Sequence, residues 1–193
     1  MIRRTVRGVG YNSGGTYKRT EHGKITDCYH VWKGMFDRCY SDYQLERRPT
    51  YIGCSVDEAF HDYQDFAKWY YENKYSGLGY ELDKDILITG NKVYSPENCC
   101  LVPKQINMMF TNTNRSRGKY PQGVNYHKPL DKFCARICMH GKPKYLGYFE
   151  TPELAHLAFK KEKERHVKEV ADLWFGSIEP KVYEALMDWE LES

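Results

Sequence analysis

The 193-residue sequence lacks three features, and each absence argues against a class of protein. No apolar run approaches the roughly 20 residues that a membrane-spanning helix needs, so we expect no membrane association. No basic start is followed by the short apolar segment of a secretory signal. The seven cysteines are an odd number without a CxxC pair, which does not favour a disulfide framework. Together these absences predict a reduced, cytoplasmic protein.

A strong overall charge of one sign is also missing, because the net charge is only +3, but the charge is unevenly distributed. The net charge is +5 over residues 1–50, −5 over 51–100, +7 over 101–150 and −4 over 151–193. Clustered lysine and arginine displace the counterions of a phosphate backbone, so the two basic blocks fit a polyanionic partner. A charge mosaic without any partner fits the same numbers. The 17 tyrosines fit either base stacking or ordinary packing.

The first part of the chain predicts a basic arm and two helices. Residues 1–25 hold five glycines and six lysines or arginines with little apolar periodicity, which predicts a flexible basic arm. Thr26 or Asp27 can cap a first helix, on which apolar residues recur every three or four positions. Ser55 and Glu58 form a capping-box pattern for a second helix with an apolar face of its own.

Residues 80–110 predict a strand, a turned loop, a second strand and a helix. The strands are YELDKDIL and NCCLVP, and a Gly-Asn turn lies between them. A hairpin of this kind folds Asp83 back toward Asn98, 15 residues later, and places Asn107 on the helix behind both. A metal-dependent nuclease centre of the β-β-α type needs a carboxylate, a nearby amide or imidazole and a base that activates water. A strand, a turn and another strand without any chemistry fit the same pattern.

The order of these residues resembles the HNH endonuclease family. The stretches MFDRCY, PTYIGCSV, LDKDI and YSPENC together resemble a group of phage and bacterial HNH-like proteins. The resemblance implies that Asp83 and Asn98 bind a divalent metal, Mg²⁺ or Mn²⁺, and that Asn107 is the last catalytic residue of the motif.

One position departs from the HNH pattern. Most family members have a catalytic histidine after the aspartate, where this chain has Lys84. Lysine side chains accept a proton from water only where burial lowers their pKa by several units. Lys84 is therefore a catalytic replacement, a phosphate contact or the mark of an inactive centre. His30 and His61 are further candidates for the base.

Four cysteines near these motifs raise the question of structural zinc. Tetrahedral zinc sites usually show at least one CxxC knuckle, and the sequence has none. Cysteines in apolar stretches such as NCCLV are typical of small buried side chains. The sequence therefore favours a divalent metal of the Mg²⁺ or Mn²⁺ kind over zinc. The cysteines concerned are Cys39, Cys54, Cys99 and Cys100.

Residues 122–149 predict three short strands, QGVNYH, KFCARICM and KYLGYF, before a helix that begins at Thr151. This region resembles the plant ethylene-response-factor (apetala-type) DNA-binding domain, in which the open face of the sheet lies in the major groove. The resemblance implies a double-stranded DNA partner. Alternation along the second strand directs Arg136 away from the helix. The residues implied to face DNA are Gln122, Asn125, His127, Arg136 and Tyr145, with Lys128, Lys132, Lys142 and Lys144 near phosphates.

We therefore expect an α+β protein with four parts. Residues 1–25 form the basic arm, 26–115 the two helices and the central β-β-α (HNH-like) unit, 116–175 a three-stranded antiparallel sheet packed on one helix, and 176–193 a helical extension. The expected function is that of a phage HNH-like DNA endonuclease of homing or nicking type, acting in the host cytoplasm. The alternatives are a catalytically degenerate DNA-binding or regulatory protein that keeps the nuclease fold, and a phage inhibitor that binds a host protein through a tyrosine-rich surface.

Overall fold

A computed structural model describes residues 5–75, 79–110, 119–139 and 141–191. The chain is an α+β protein, as the sequence predicts, and divides into two compact units. The first unit comprises residues 1–107 and 176–182, and the second comprises residues 108–175 and 183–193. Among the described helices, none combines the length and the apolar character needed to cross a membrane.

Short strands alternate with helices along the chain. The strands are β1 (Thr20–Glu21), β2 (Lys24–Ile25), β3 (Ser55–Val56), β4 (Tyr80–Asp83), β5 (Val93–Tyr94), β6 (Cys100–Pro103), β7 (Val124–His127), β8 (Lys132–Met139) and β9 (Lys142–Phe149). The helices are α1 (Asp27–Tyr40), α2 (Asp42–Arg47), α3 (Tyr63–Asn73), α4 (Lys104–Phe110), α5 (Pro152–Leu173) and α6 (Pro180–Met187). The pairs β1–β2 and β4–β6 and the sheet β7–β8–β9 are antiparallel, and the pair β3–β5 is parallel.

The core of the first unit is built on α1 and α3. The Thr26 side chain caps α1, as predicted, by accepting a hydrogen bond from the backbone N–H of Tyr29 at 3.3 Å. Asp62 caps α3 in the same way. The indole of Trp32 donates to the Phe60 carbonyl at 2.8 Å inside the core. The largest side chains buried together are Trp32, Met35, Phe36, Phe60, Tyr63, Phe66 and Tyr70.

The helix predicted to begin at the capping box of Ser55 and Glu58 is α3, which begins at Tyr63 instead, so that prediction is wrong. Ser55 lies in β3, where it pairs with Val93 of β5. Glu58 lies in a single 3-10 turn, which Asp57 caps. A parallel partner far along the chain leaves no local signal in the sequence around Ser55, whereas the capping-box pattern is local.

The segment predicted as a flexible arm is folded over its described part. One β-bridge joins Val6 to Gly10, and a second joins Tyr11 to Asp62. Val6 is buried in the core of the first unit, and β1 and β2 form a hairpin just before α1. Residues 5–25 therefore belong to the fold of the first unit. Their β-bridge partner Asp62 is distant in the sequence, so local composition does not reveal it.

The predicted β-β-α order is present, since α4 directly follows the β4–β6 pair. Tyr80 and Leu82 of β4 face the core of the first unit together with Leu101 of β6. Because side chains alternate along a strand, Glu81 and Asp83 lie on the opposite face.

The chain returns to the first unit after α5. The Tyr80 hydroxyl donates to the Ser177 carbonyl at 2.8 Å, and Ile178 is buried. The predicted extension at residues 176–193 is therefore split, because its first part completes the first unit. The boundary predicted between residues 115 and 116 also differs from the observed one, which follows Asn107.

The second unit is the predicted three-stranded sheet packed on one helix. The sheet order is β7–β8–β9, and α5 packs on one of its faces. Thr151 caps α5, and Pro152 occupies its first turn, as the sequence predicts. The buried centre of this contact is small and consists of Val124, Ala135 and Ala155.

A β-bulge in β9 changes which of its side chains face away from α5. The pairing of β8 with β9 shifts between Ala135 and Arg136, and Leu146 is the extra residue of β9. Because side chains alternate along a strand, this extra residue brings Tyr145 and Tyr148 onto the same face, although they are three positions apart.

Gly123 cannot carry a side chain without disturbing α5. Its φ is +80°, and an added Cβ would lie 2.1 Å from Cδ2 of Phe159. Gly141 has a similar φ of +75° but nothing within 4 Å of an added Cβ. We expect Gly123→Ala to lower the free energy of unfolding by about 2–4 kcal/mol, and Gly141→Ala by about 1 kcal/mol from backbone strain alone. Urea unfolding measures both losses, and equal losses would contradict the close approach to Phe159.

Candidate functional site

Asp83 ends β4 by turning the chain with its own side chain. Its Oδ1 accepts hydrogen bonds from the backbone N–H groups of Asp85 and Ile86, both at 2.7 Å. Such a turn competes with the sheet ladder, so β4 ends at Asp83 and the predicted continuation to Leu87 is wrong. The turn fixes the carboxylate at the end of the strand, where a β-β-α metal centre needs it.

The environment of Asp83 disfavours its negative charge. Burial raises the pKa of the carboxyl above its ordinary value, although the N–H groups of Ile86 and Asp85 oppose the rise. The charge of Asp85 adds to the rise, and that of Lys84 opposes it. A buried carboxylate is stabilised when an opposite charge lies beside it, so a cation at this position would favour the ionised form.

The β4–β6 pairing brings Asn98 close to the end of β4. Asp83 pairs with Cys100 across the strands, and Asn98 lies two positions before Cys100. The backbone N–H of Asn98 donates to Oγ of Ser95 at 3.2 Å and so holds the turn that leads into β6. The hairpin thus brings Asp83 and Asn98, which are 15 residues apart in the sequence, to the same end of the strand pair.

Helix α4 brings Asn107 to the same face of the β4–β6 pair. Its Nδ2 donates a hydrogen bond to Oε2 of Glu81. Glu81 lies two positions before Asp83 in β4, so the two carboxylates share one face. Sequence reasoning misses Glu81, although the alternation of apolar and acidic residues in YELD is a signal that identifies it.

Lys84 is tied into the loop that follows β4. Its side chain is only 7% exposed, and its ammonium lies 2.7 and 2.8 Å from the two carboxylate oxygens of Asp85. It also donates to the carbonyl of Asn91, whose side chain donates back to the carbonyls of Lys84 and Val93. An ammonium group has no lone pair to accept a proton. Because the side chain is buried, it also offers little surface to a phosphate. These contacts give Lys84 a structural role, and its catalytic role stays a prediction.

The two candidate histidines lie elsewhere in the first unit. Nε2 of His61 lies 3.0 Å from the carbonyl oxygen of Val56, and His30 is exposed on α1. Neither imidazole contacts Asp83 within the part of the chain that the structure describes.

The oxygen donors on the Glu81 and Asp83 face suit a hard cation. The amide of Asn107 contacts Glu81 on this face, and Asn98 lies in the turn before β6. Mg²⁺ typically binds through one or two carboxylates while waters and phosphates complete its shell. Across the described residues, no group of three or more His, Cys, Asp or Glu side chains is placed to hold a metal ion. A divalent ion held here would therefore need water or phosphate for most of its ligands.

The four cysteines of the motifs are buried, as the sequence predicts for cysteines in apolar stretches such as NCCLV. Burial raises the pKa of the Cys39 and Cys99 thiols to about 12, and it also raises the pKa of Cys100. Cys54 is buried as well. Zinc binds the thiolate form, so this burial opposes the ionisation that a zinc site needs.

The open face of the β7–β8–β9 sheet carries four of the predicted DNA-binding residues. The strand register places Asn125, His127, Arg136 and Tyr145 on the face opposite α5. Arg136 and Tyr145 are cross-strand partners, and both are exposed. Tyr148, which sequence reasoning misses, joins them because of the bulge in β9.

One predicted DNA contact lies toward α5 instead. Lys144 forms an ion pair with Glu162 of α5 at 2.7 Å, so its ammonium is on the helix side of the sheet. Lys144 and Tyr145 are neighbours in β9, so their side chains point to opposite faces of the sheet. Gln122 precedes β7, and its backbone carbonyl oxygen lies 3.0 Å from Nδ1 of His156 on α5, while its contact with DNA stays a prediction.

The other three predicted phosphate contacts are lysines of the sheet or of the turn beside it. Lys132, at the start of β8, forms an ion pair with Glu150 at 2.8 Å, and Lys128 and Lys142 are exposed. Residues 119–150 contain six lysines or arginines and two acidic residues. The sheet therefore carries an excess of positive charge.

Comparison of the chain with protein-family models, with curated proteins and with solved structures found no match. The function is therefore inferred from the residues and contacts described above.

The buried charge of Asp83 predicts a pH-dependent cost to the fold. Because the folded pKa is raised, ionised Asp83 lowers the free energy of unfolding, and this cost grows as pH rises through the folded pKa. Asparagine keeps an oxygen for the two backbone N–H groups and removes the charge. We therefore expect Asp83→Asn to exceed the unaltered chain in stability at neutral pH without divalent metal. The difference should vanish near the ordinary aspartate pKa, about pH 4.

Urea unfolding at both pH values, with and without Mg²⁺, tests this expectation. Mg²⁺ should stabilise the unaltered chain and not Asp83→Asn, because the ligand charge is gone. A variant less stable than the unaltered chain at neutral pH would show that the carboxylate has a compensating partner in the protein.

Lys84→Met tests whether Lys84 is structural. Methionine keeps most of the buried side-chain volume but loses the bonds to Asp85 and Asn91, so we expect a loss of about 1–3 kcal/mol in the free energy of unfolding. Lys92→Met is the matched control, since Lys92 lies in the same loop and its ammonium bonds the Thr50 carbonyl at an exposed site. Its loss should stay within about 0.5 kcal/mol. Unchanged stability of Lys84→Met would contradict the structural role.

Proposed function

We propose that the chain is a DNA endonuclease of the HNH-like β-β-α type that depends on a divalent metal and acts on duplex DNA bound by its second unit. One observation carries the proposal: the β4–β6–α4 unit assembles the predicted residues in the predicted order. Asp83 ends the first strand, Asn98 lies two positions from its cross-strand partner, and Asn107 extends from the helix to the face of Glu81.

The residues of the centre divide into ligands and a proton acceptor. Asp83 and Asn98 would hold Mg²⁺ or Mn²⁺, with one oxygen of Asp83 fixed by the backbone. The bound ion would stabilise charge on the scissile phosphate and its leaving oxygen. Asn107 orients Glu81 through Oε2, which leaves Oε1 as a proton acceptor for water at the same face.

The second unit provides the DNA-binding surface of the proposal. Arg136 and Tyr145 are exposed as a cross-strand pair on the open face of a basic sheet. Arginine donates to phosphates or to base edges in the major groove, and the surrounding lysines attract the phosphate backbone.

A DNA-binding protein without nuclease activity is the second candidate, and Lys84 favours it. The position that holds the catalytic histidine in most HNH enzymes here holds a lysine bound to Asp85 and Asn91. Such a protein would keep the β-β-α fold and the basic sheet while lacking the base that activates water.

Supercoiled plasmid DNA distinguishes the two candidates. We expect nicking in Mg²⁺ or Mn²⁺, and we expect Asp83→Ala to lower its rate by about 100-fold because a metal ligand is lost. DNA affinity should be unchanged, since Asp83 lies outside the basic sheet. Asp65→Ala, at an exposed position of α3, is the matched control and should keep the full rate.

The outcomes separate the candidates as follows. No nicking over wide ranges of protein and metal, in a preparation that still binds duplex DNA, would exclude the enzyme and support the DNA-binding protein. Full cleavage by Asp83→Ala would show that the ligand assignment is wrong. Arg136→Ala should weaken DNA binding in both cases, so it identifies the binding surface alone.

A further inference from the structure

Two large aromatic side chains are exposed on the open face of the β7–β8–β9 sheet. Tyr145 is 65% exposed and Tyr148 is 46% exposed. The bulge at Leu146 places both on the face opposite α5, where regular alternation would have separated them. Contiguous exposed aromatic surface on a soluble fold commonly marks a binding site.

Polar groups surround these two rings and complete a surface that we call the tyrosine face. It consists of Tyr145, Tyr148, Arg136, His127 and Asn125. Arg136 is the cross-strand partner of Tyr145, and the His127 ring lies 5.0 Å from the Tyr148 ring at an angle of 64°. Within the described residues, Nδ1 of His127 is buried without a hydrogen-bond partner. The tyrosine face thus combines aromatic rings with the exposed side chains of Asn125 and Arg136, which can bond a base edge.

The charge around the tyrosine face selects an anionic partner. The six basic residues of 119–150 exceed the two acidic ones, and both acidic residues are engaged. Asp131 accepts a hydrogen bond from Tyr126, and Glu150 is paired with Lys132. An anion with flat aromatic groups matches both the charge and the rings.

We propose that the tyrosine face binds unpaired DNA bases by stacking them on Tyr145 and Tyr148. A base pair in a duplex presents only its edge in the groove, whereas an unpaired base presents its face to an aromatic ring. Exposed aromatic residues on an antiparallel sheet with basic surroundings are suited to this mode of binding. The inference rests on the proposed function, since a bound duplex that opens locally supplies the unpaired bases.

Fluorescence anisotropy at one salt concentration tests the inference. The probes are a short labelled single strand, the matching duplex and a duplex with one unpaired base. We expect Tyr145→Leu and Tyr148→Leu each to weaken binding of the single strand by about 5-fold to 100-fold, because leucine removes the stacking ring. Binding of the matched duplex should weaken less than binding of the single strand, because a paired base presents only its edge in the groove. Tyr→Phe at either position should keep the affinity, because the ring remains.

Tyr43→Leu is the matched control. Tyr43 is 60% exposed on α2 of the first unit, outside the tyrosine face. Its replacement should leave binding of all three probes unchanged, and circular dichroism confirms that each variant is folded.

The three probes separate failure of the inference from failure of the proposed function. Equal losses for the single strand and the matched duplex would overturn the preference for unpaired bases and leave duplex binding in place. Unchanged single-strand binding by both leucine variants would overturn the inference. Binding of none of the probes by the unaltered chain would overturn the DNA-binding part of the proposed function as well.

Discussion

The two hydrogen bonds that Asp83 accepts from its own loop determine the geometry of the central segment. They stop β4, hold one carboxylate oxygen in place and start the loop that Lys84 and Asn91 close. One oxygen of Asp83 is thus used by the backbone, while burial raises the pKa of the group. The same contact that shapes the fold therefore leaves a carboxylate whose charge an external cation would stabilise.

Two consecutive segments of the chain carry opposite charge. Residues 51–100, which contain Glu81 and Asp83, have a net charge of −5, and residues 101–150, which contain most of the basic sheet, have +7. An acidic centre repels phosphate unless a divalent ion neutralises it, whereas the basic sheet attracts phosphate without help. In the proposed enzyme, binding and chemistry would therefore respond differently to removal of metal, because only the acidic centre needs the ion.

Features specified by neighbouring residues could be predicted from the sequence, and those that depend on distant partners or on a single extra residue could not. Thr26 and Thr151 cap helices through contacts three positions away, so local pattern identified both helix starts. Ser55 pairs with a strand far along the chain, and a competing local motif concealed that pairing. Glu81 lies outside the family motif, so only the alternation of side chains along β4 could have identified it from the sequence. Leu146 inverts the alternation of β9, so the position of Tyr148 on the same face as Tyr145 followed only from the observed register.

The return of residues 176–182 to the first unit has a consequence for synthesis. The bond from Tyr80 to Ser177 joins positions 97 residues apart, and the whole of the β7–β8–β9 sheet and α5 lies between them. Domains generally fold as they leave the ribosome, beginning with the part made first. In this chain the first unit receives its last segment only after the sheet and α5 have been made. A ribosome that stalls before Ser177 would therefore hold a nascent chain with a complete basic sheet and an incomplete first unit.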